Sequence, residues 1–152
     1  MYGYPSADYS SFFKRIFNTM QEQPSRVASV TDDQDLESKI DSAKGGLVVV
    51  DFWATWCGPC RRIAPFYEDL SRKYEHVLFL KVDADECPDI VEKWMVRAFP
   101  SFLFFKDGLK AGEVKGADAN GIEQQIQDLG SLAPGVVAQY WVQSGQAQQA
   151  GN

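Results

Sequence analysis

Two cysteines three positions apart, Cys57 and Cys60, stand within Trp56-Cys57-Gly58-Pro59-Cys60. A pair at this spacing can close into a disulfide or open into a dithiol, and a thiolate at the first position can attack a disulfide in another molecule. That chemistry needs the first thiol ionised, the second close enough to displace the product, and a nearby group to take the second thiol's proton. A zinc site is one alternative, and it needs two further ligands. The remaining thiol and imidazole, Cys87 and His76, form no second close pair, which counts against it. An inert structural disulfide is the other alternative.

The surrounding residues indicate how the pair is held. Pro59 fits the first turn of a helix, where its missing N–H is not wanted. Ile63, Phe66, Tyr67, Leu70 and Tyr74 then recur at helical spacing. Cys57 thus falls at a helix N-terminus, where unpaired N–H groups and the dipole favour a thiolate, and Cys60 lies one turn inside. Upstream, Leu47 to Trp53 is a continuous apolar, β-branched run, the pattern of a strand buried on both faces. Its one charge, Asp51, has two readings. It is either a strand-end carboxylate near the surface, or a buried one whose raised pKa suits it to accept the proton of Cys60.

The remaining elements follow the same logic. Thr31, Asp32 and Asp33 before Leu36 and Ile40 read as the capped start of a helix. Val77 to Val82 reads as a second buried strand, and Ile90, Val91 and Trp94 share one helical face. Ser101–Phe105 and Lys110–Val114 form two strands joined through Lys106-Asp107-Gly108, a hairpin signal. Asp118 opens a last helix with Ile122, Ile126 and Leu129 inward. With a short strand at Val27–Val30, the order βαβαβαββα specifies an α/β fold with an antiparallel hairpin at one edge.

The chain has 152 residues and a net charge of −6. Residues 1–30 carry +1, residues 31–130 carry −7, and the last 22 residues carry no charged side chain. This acidity leaves no basic face for a run of phosphates, so nucleic acid is not an expected partner. No apolar run reaches the roughly 18 residues that span a bilayer, so no membrane partner is expected either. The folded unit is expected at 27–130, with an N-terminal extension at 1–26 and an uncharged C-terminal tail at 131–152. In the extension, Phe12, Phe13, Ile16, Phe17 and Met20 share one helical face, with Lys14 and Arg15 alongside. The tail reads as disordered apart from Val136, Val137, Tyr140 and Trp141.

Three runs, Val50-Asp51-Phe52-Trp53-Ala54, Trp56-Cys57-Gly58-Pro59-Cys60 and Ile63-Ala64-Pro65-Phe66, together resemble the thioredoxin family. The similarity continues through Leu80-Lys81-Val82-Asp83, Phe99-Pro100-Ser101-Phe102 and Lys115-Gly116-Ala117, and covers about residues 27 to 130. The resemblance implies the thioredoxin fold, a five-stranded mixed sheet flanked by four helices. It implies a protein disulfide reductase in which Cys57 attacks, Cys60 resolves, Asp51 manages the proton and Lys81 lies beside it. It also implies a cis Phe99–Pro100 bond facing the dithiol. Trp56, Gly58, Pro59, Phe99, Pro100, Gly116 and Ala117 would then form the substrate-contacting patch, although Phe99 departs from the Ile, Met, Thr or Val more usual there. Pro59 between the cysteines resembles the reducing members rather than the isomerases. A non-catalytic binding module and a disulfide oxidant or isomerase are the rival functions.

The same resemblance implies no bound cofactor, with reducing equivalents from NADPH through thioredoxin reductase. Disulfide substrates such as peroxiredoxins, methionine sulfoxide reductase or ribonucleotide reductase are the implied partners of a cytoplasmic monomer. Mitochondrial import and leaderless secretion are the alternative destinations. Cys87, among Asp83, Asp85, Glu86 and Asp89, has an inert buried reading and a regulatory one, and its acidic neighbours favour the first.

Overall fold

The computed structural model describes residues 9–21 and 24–143. Helix α1 (Tyr9–Gln21) precedes strand β1 (Val27–Ser29), helix α2 (Asp33–Ser42) and strand β2 (Leu47–Trp53). Then come α3 (Gly58–Lys73), β3 (Leu78–Asp83) and α4 (Pro88–Lys93). The chain closes with β4 (Ser101–Lys106), β5 (Leu109–Lys115), α5 (Ala119–Gly130) and α6 (Val136–Gln143). The sheet has five strands in the order β1-β3-β2-β4-β5. β1, β3 and β2 run parallel, while β4 and β5 run antiparallel to their neighbours.

β2 lies in the middle and is covered on both faces, as its unbroken apolar run requires. Its alternate residues serve different layers. Val48, Val50 and Phe52 pack with Leu36 and Ile40 of α2 and Ile90 of α4. Leu47 and Val49 pack with Ile63, Tyr67 and Leu70 of α3 and with Ile122 and Ile126 of α5. Alternation therefore sends Asp51 to the α3/α5 face.

The parallel strands end beside the start of α3. The opposite end of the sheet holds the β4–β5 turn, the start of β1 and the end of α5, where Gly130 approaches Leu47 and His76. Ser25 donates to Glu68 and Arg26 to the Glu75 carbonyl, which fasten the chain entering β1 to α3 and to the turn after it.

Two local expectations are revised. The sequence starts the first domain helix at Thr31, but the cap is Asp32, whose carboxylate accepts from the Asp35 N–H at 2.8 Å. Asp35 reaches back to the Thr31 N–H at 2.9 Å, so the box closes one residue later. Residues 136–143 of the uncharged tail form α6 with Val137 buried; the helix contains the four residues set apart from disorder, Val136, Val137, Tyr140 and Trp141, and extends the order to those between and just after them. Residues 144–152 lie outside the described residues.

The cap that holds α6 is not local. Asp107 sits in the β4–β5 turn at φ +56°, followed by Gly108 at +76°, the two positive angles of a two-residue hairpin loop. Its carboxylate accepts from the Gly135 N–H at 2.9 Å and from the Val137 N–H at 3.2 Å. Asp107→Gly keeps the backbone angle at no steric cost and removes both acceptors. It is expected to cost about 1 kcal/mol and to strip hydrogen-exchange protection from α6 while β4 keeps its own. Unchanged exchange in α6 would refute the capping role.

In α1, Phe13, Ile16 and Phe17 are exposed at i, i+3 and i+4. Among the described residues no helix is long and apolar enough to cross a membrane.

Candidate active site

β2 delivers the chain to the site. After Trp53, buried Ala54 accepts from the Cys57 N–H at 3.2 Å, a turn that aims Cys57 at the start of α3. Cys57 is the N-cap residue in an extended conformation (φ −86°, ψ 109°), and Gly58 and Pro59 open the first turn. Cys57 and Cys60 are joined in a disulfide with their Cα atoms 5.3 Å apart. The Cys60 N–H points at the Cys57 sulfur at 3.2 Å. A thiolate formed there on reduction meets a donor already in place and the positive end of a 16-residue helix.

The pair is walled by Trp53, Ala54, Ala84 and Phe99. The Phe99–Pro100 bond is cis. Phe99 packs on the disulfide and meets the Trp56 ring edge to face, with centroids 5.8 Å apart. Trp56 is 65% exposed and steadied by its Nε1–H donating to Asp85 at 3.4 Å. The buried Pro100 accepts from the Gly116 N–H at 2.8 Å, which joins the loop before β4 to the residue after β5. Gly116 has φ +86°, in the region that favours glycine. Ala117 is exposed beside it.

Asp51 and Lys81 lie below this surface as register partners on β2 and β3. Asp51 is 6% exposed, and its Oδ1 finds no hydrogen-bond partner among the described residues. Burial pushes its pKa up to about 7, while the Lys81 ammonium pulls the other way. Lys81 also reaches the Trp53 ring, 6.0 Å from Nζ to the centroid.

Cys87 stands apart from this group. It caps α4, lies in the α2/α4 layer, and directs its sulfur to the carbonyls of Val30 and Thr31. Burial raises its pKa, as do the charges of Glu86, Asp83, Asp32 and Asp35. In the native oxidised protein, iodoacetamide at pH 8 is expected to modify Cys87 at least about tenfold more slowly than in the unfolded chain. Equal rates would contradict this.

Two site features escape the sequence. Asp85 looks like one more charge on a solvated acidic face, yet it holds Trp56. Tyr67 looks like one more apolar position of α3, yet its hydroxyl reaches across to the sheet. Among the described residues no cluster of three or more His, Cys, Asp or Glu is placed to hold a metal ion.

Comparison with known proteins adds to this geometry. The family model for thioredoxin matches residues 27–128. Human thioredoxin is 48% identical over 93 residues, 61% of this chain and 89% of its own length. The X-ray structure of Fasciola hepatica thioredoxin matches at 40% identity with a TM-score of 0.66, covering 66% of this chain and 97% of that one. A structure reported for the thiol resolving mechanism of yeast mitochondrial 1-Cys peroxiredoxin via glutathione/thioredoxin systems matches at 34% identity. Its TM-score is 0.64, with 69% of this chain and 99% of that one covered. Such a fold, with a redox-active pair at the head of α3, defines a thiol–disulfide oxidoreductase. The chain belongs to the thioredoxin family, and it is a protein disulfide reductase acting by dithiol–disulfide exchange.

Proposed function

We propose that the reaction runs through Cys57 as nucleophile, Cys60 as resolving thiol and Asp51 as the proton acceptor for Cys60. The Cys57 thiolate attacks one sulfur of a substrate disulfide. A mixed disulfide forms, and the first substrate thiolate leaves and takes a proton from solvent. Cys60 then gives its proton to Asp51 and attacks the Cys57 sulfur, releasing the second substrate thiolate. Two electrons pass to the substrate, and the Cys57–Cys60 disulfide remains. Lys81 balances the charge that the Asp51 carboxylate carries before it takes this proton. The observation that carries this reading is the disulfide at the head of α3 above a buried carboxylate whose pKa is close to neutral pH.

Trp56, Gly58, Pro59, Phe99, Pro100, Gly116 and Ala117 form the surface that receives an extended substrate strand. Exposed Trp56 against Phe99, and the hydrogen bond that joins Pro100 to Gly116 beside it, support this. The Cys57–Cys60 disulfide is returned to the dithiol by NADPH through a thioredoxin reductase. Peroxiredoxins, methionine sulfoxide reductase and ribonucleotide reductase are the candidate substrates, and the yeast peroxiredoxin system among the matched structures supports the first. A reductant of this kind works where thiols are kept reduced, which favours the cytoplasm, with the mitochondrion as the alternative.

Insulin reduction with NADPH and a thioredoxin reductase tests the proposal. Turnover dependent on both, with a midpoint potential inside the cytosolic glutathione range of about −220 to −320 mV, is the expected result. No turnover would leave a binding module. A potential above about −200 mV would mark an oxidant.

A further inference from the structure

Tyr67 is 2% exposed, and its ring packs on Phe79 of β3 and Phe102 of β4, with centroids 5.3 and 5.5 Å away. Its hydroxyl makes two contacts, donating toward the carbonyl of Val49 on β2 at 3.0 Å and that of Leu80 on β3 at 2.8 Å. Those carbonyls flank the Val50–Leu80 pair, the rung just before Asp51. The Lys81 carbonyl faces outward and accepts from Val30, so the Leu80 carbonyl, turned the opposite way, faces β2. With Val50 opposite Leu80, a parallel ladder brings Leu80 O to the N–H of Asp51 and Leu80 N–H to Val49 O. Both carbonyls accepting from Tyr67 are thus already satisfied by the sheet.

One phenolic proton shared between two satisfied acceptors can be given to a third at small cost. A third acceptor lies on the same side of the sheet. The Asp51 side chain leaves β2 on this same face, its Oδ1 lacks a partner, and the two groups are close enough to interact electrostatically. The other titratable or charged groups facing this space are Lys81 from β3 and Cys57, Cys60 and Glu68 from α3. β4 brings Phe102, and α5 brings Ile122 and Ile126.

We propose that Tyr67 is a positioning residue for the proton chemistry of the dithiol: its hydroxyl turns from the Val49 and Leu80 carbonyls to Asp51 when that carboxylate ionises. The neutral acid needs no such donor, so the hydroxyl acts on one protonation state and sets the pH at which Asp51 exchanges its proton. The proposal rests on Asp51 as proton acceptor for Cys60, and its test separates the two.

Tyr67→Phe keeps the ring and its packing and removes only the donor. The side-chain carboxyl carbon of Asp51 is followed by 13C NMR against pH in the oxidised protein, where Cys57 and Cys60 do not titrate. The midpoint is expected to rise by about half a unit or more, because hydrogen bonding to the charged form is lost. 3-Fluorotyrosine installed at position 67, a stronger phenolic donor in a nearly unchanged shape, is expected to lower it. That second substitution keeps the test available if the first unfolds the domain. An Asp51 midpoint that stays put in both proteins overturns the proposal, as does a fall with Phe. The pH profile of insulin reduction should move with the carboxyl midpoint. A carboxyl midpoint that moves while the profile stays fixed upholds the link from Tyr67 to Asp51 and removes Asp51 from the turnover step.

Discussion

Replacing Cys60 by Ser is expected to stop turnover after the first exchange and to leave Cys57 covalently joined to whatever it attacked. The serine hydroxyl occupies the same place one turn into α3, but at neutral pH it supplies no thiolate to strike the Cys57 sulfur. Insulin reduction should fall by at least on the order of a hundredfold. Non-reducing gels should show adducts that dithiothreitol dissolves. The partner change, Cys57→Ser, should lose the activity and the adducts together, since it removes the group that begins the attack. If Cys60→Ser still turned over, resolution would have to come from a second protein thiol or from the substrate itself. If Cys57→Ser trapped partners and Cys60→Ser did not, the order of the two cysteines would be reversed. The trapped proteins would also name the substrates, which the proposed contact surface around Trp56 and Phe99 leaves open.

Asp51→Asn is the second large effect, and it acts on stability and rate in opposite directions. In the fold Asp51 holds its proton up to about pH 7, against 3.8 for the ordinary group. Below pH 3.8 both folded and unfolded chains are protonated there, and the residue costs nothing. Between 3.8 and 7 the unfolded chain gives up the proton first, so stability falls as pH rises. Above 7 the full cost is present, about 4 kcal/mol at 1.36 kcal/mol per unit. Asn has nearly the same shape and never ionises. Allowing for a half-buried Lys81 left without its counter-charge, the variant should gain about 2 to 4 kcal/mol at pH 8 and almost nothing at pH 3. Urea unfolding at several pH values reads this directly, and a gain independent of pH would contradict a buried, titrating Asp51. Turnover at neutral pH should drop about tenfold or more, in the step that releases the mixed disulfide, because Cys60 has lost its proton acceptor. Attack by Cys57 should continue. Undiminished turnover would assign the proton to water.

What the sequence discloses here depends on how local the cause is. The central strand is legible because Leu47 to Trp53 carries its own burial in its composition, and the observed strand has those bounds. The hairpin is legible because Asp107-Gly108 supplies the positive φ angles that its loop demands. The disulfide follows from a three-residue spacing at a strand-to-helix junction. α6 is different, since its first N–H groups are satisfied by Asp107, some 30 residues earlier, and nothing within 136–143 announces a start. The Tyr67 hydroxyl is hidden in the same way, because its acceptors lie on two other strands. Asp85 differs from the acidic residues around it only through its bond to Trp56, 29 positions away in the chain. Contacts between distant residues of unremarkable type leave no local mark.

The sheet's polarity has a practical corollary. β1 begins and α5 finishes at the edge farthest from the sulfurs, and Asp107 pins α6 there too. The chain therefore enters β1 and passes from α5 to α6 on the side away from Trp56 and the disulfide. A domain fused directly ahead of Val27, in place of the extension, is attached behind the reactive face, which stays open to bulk solution.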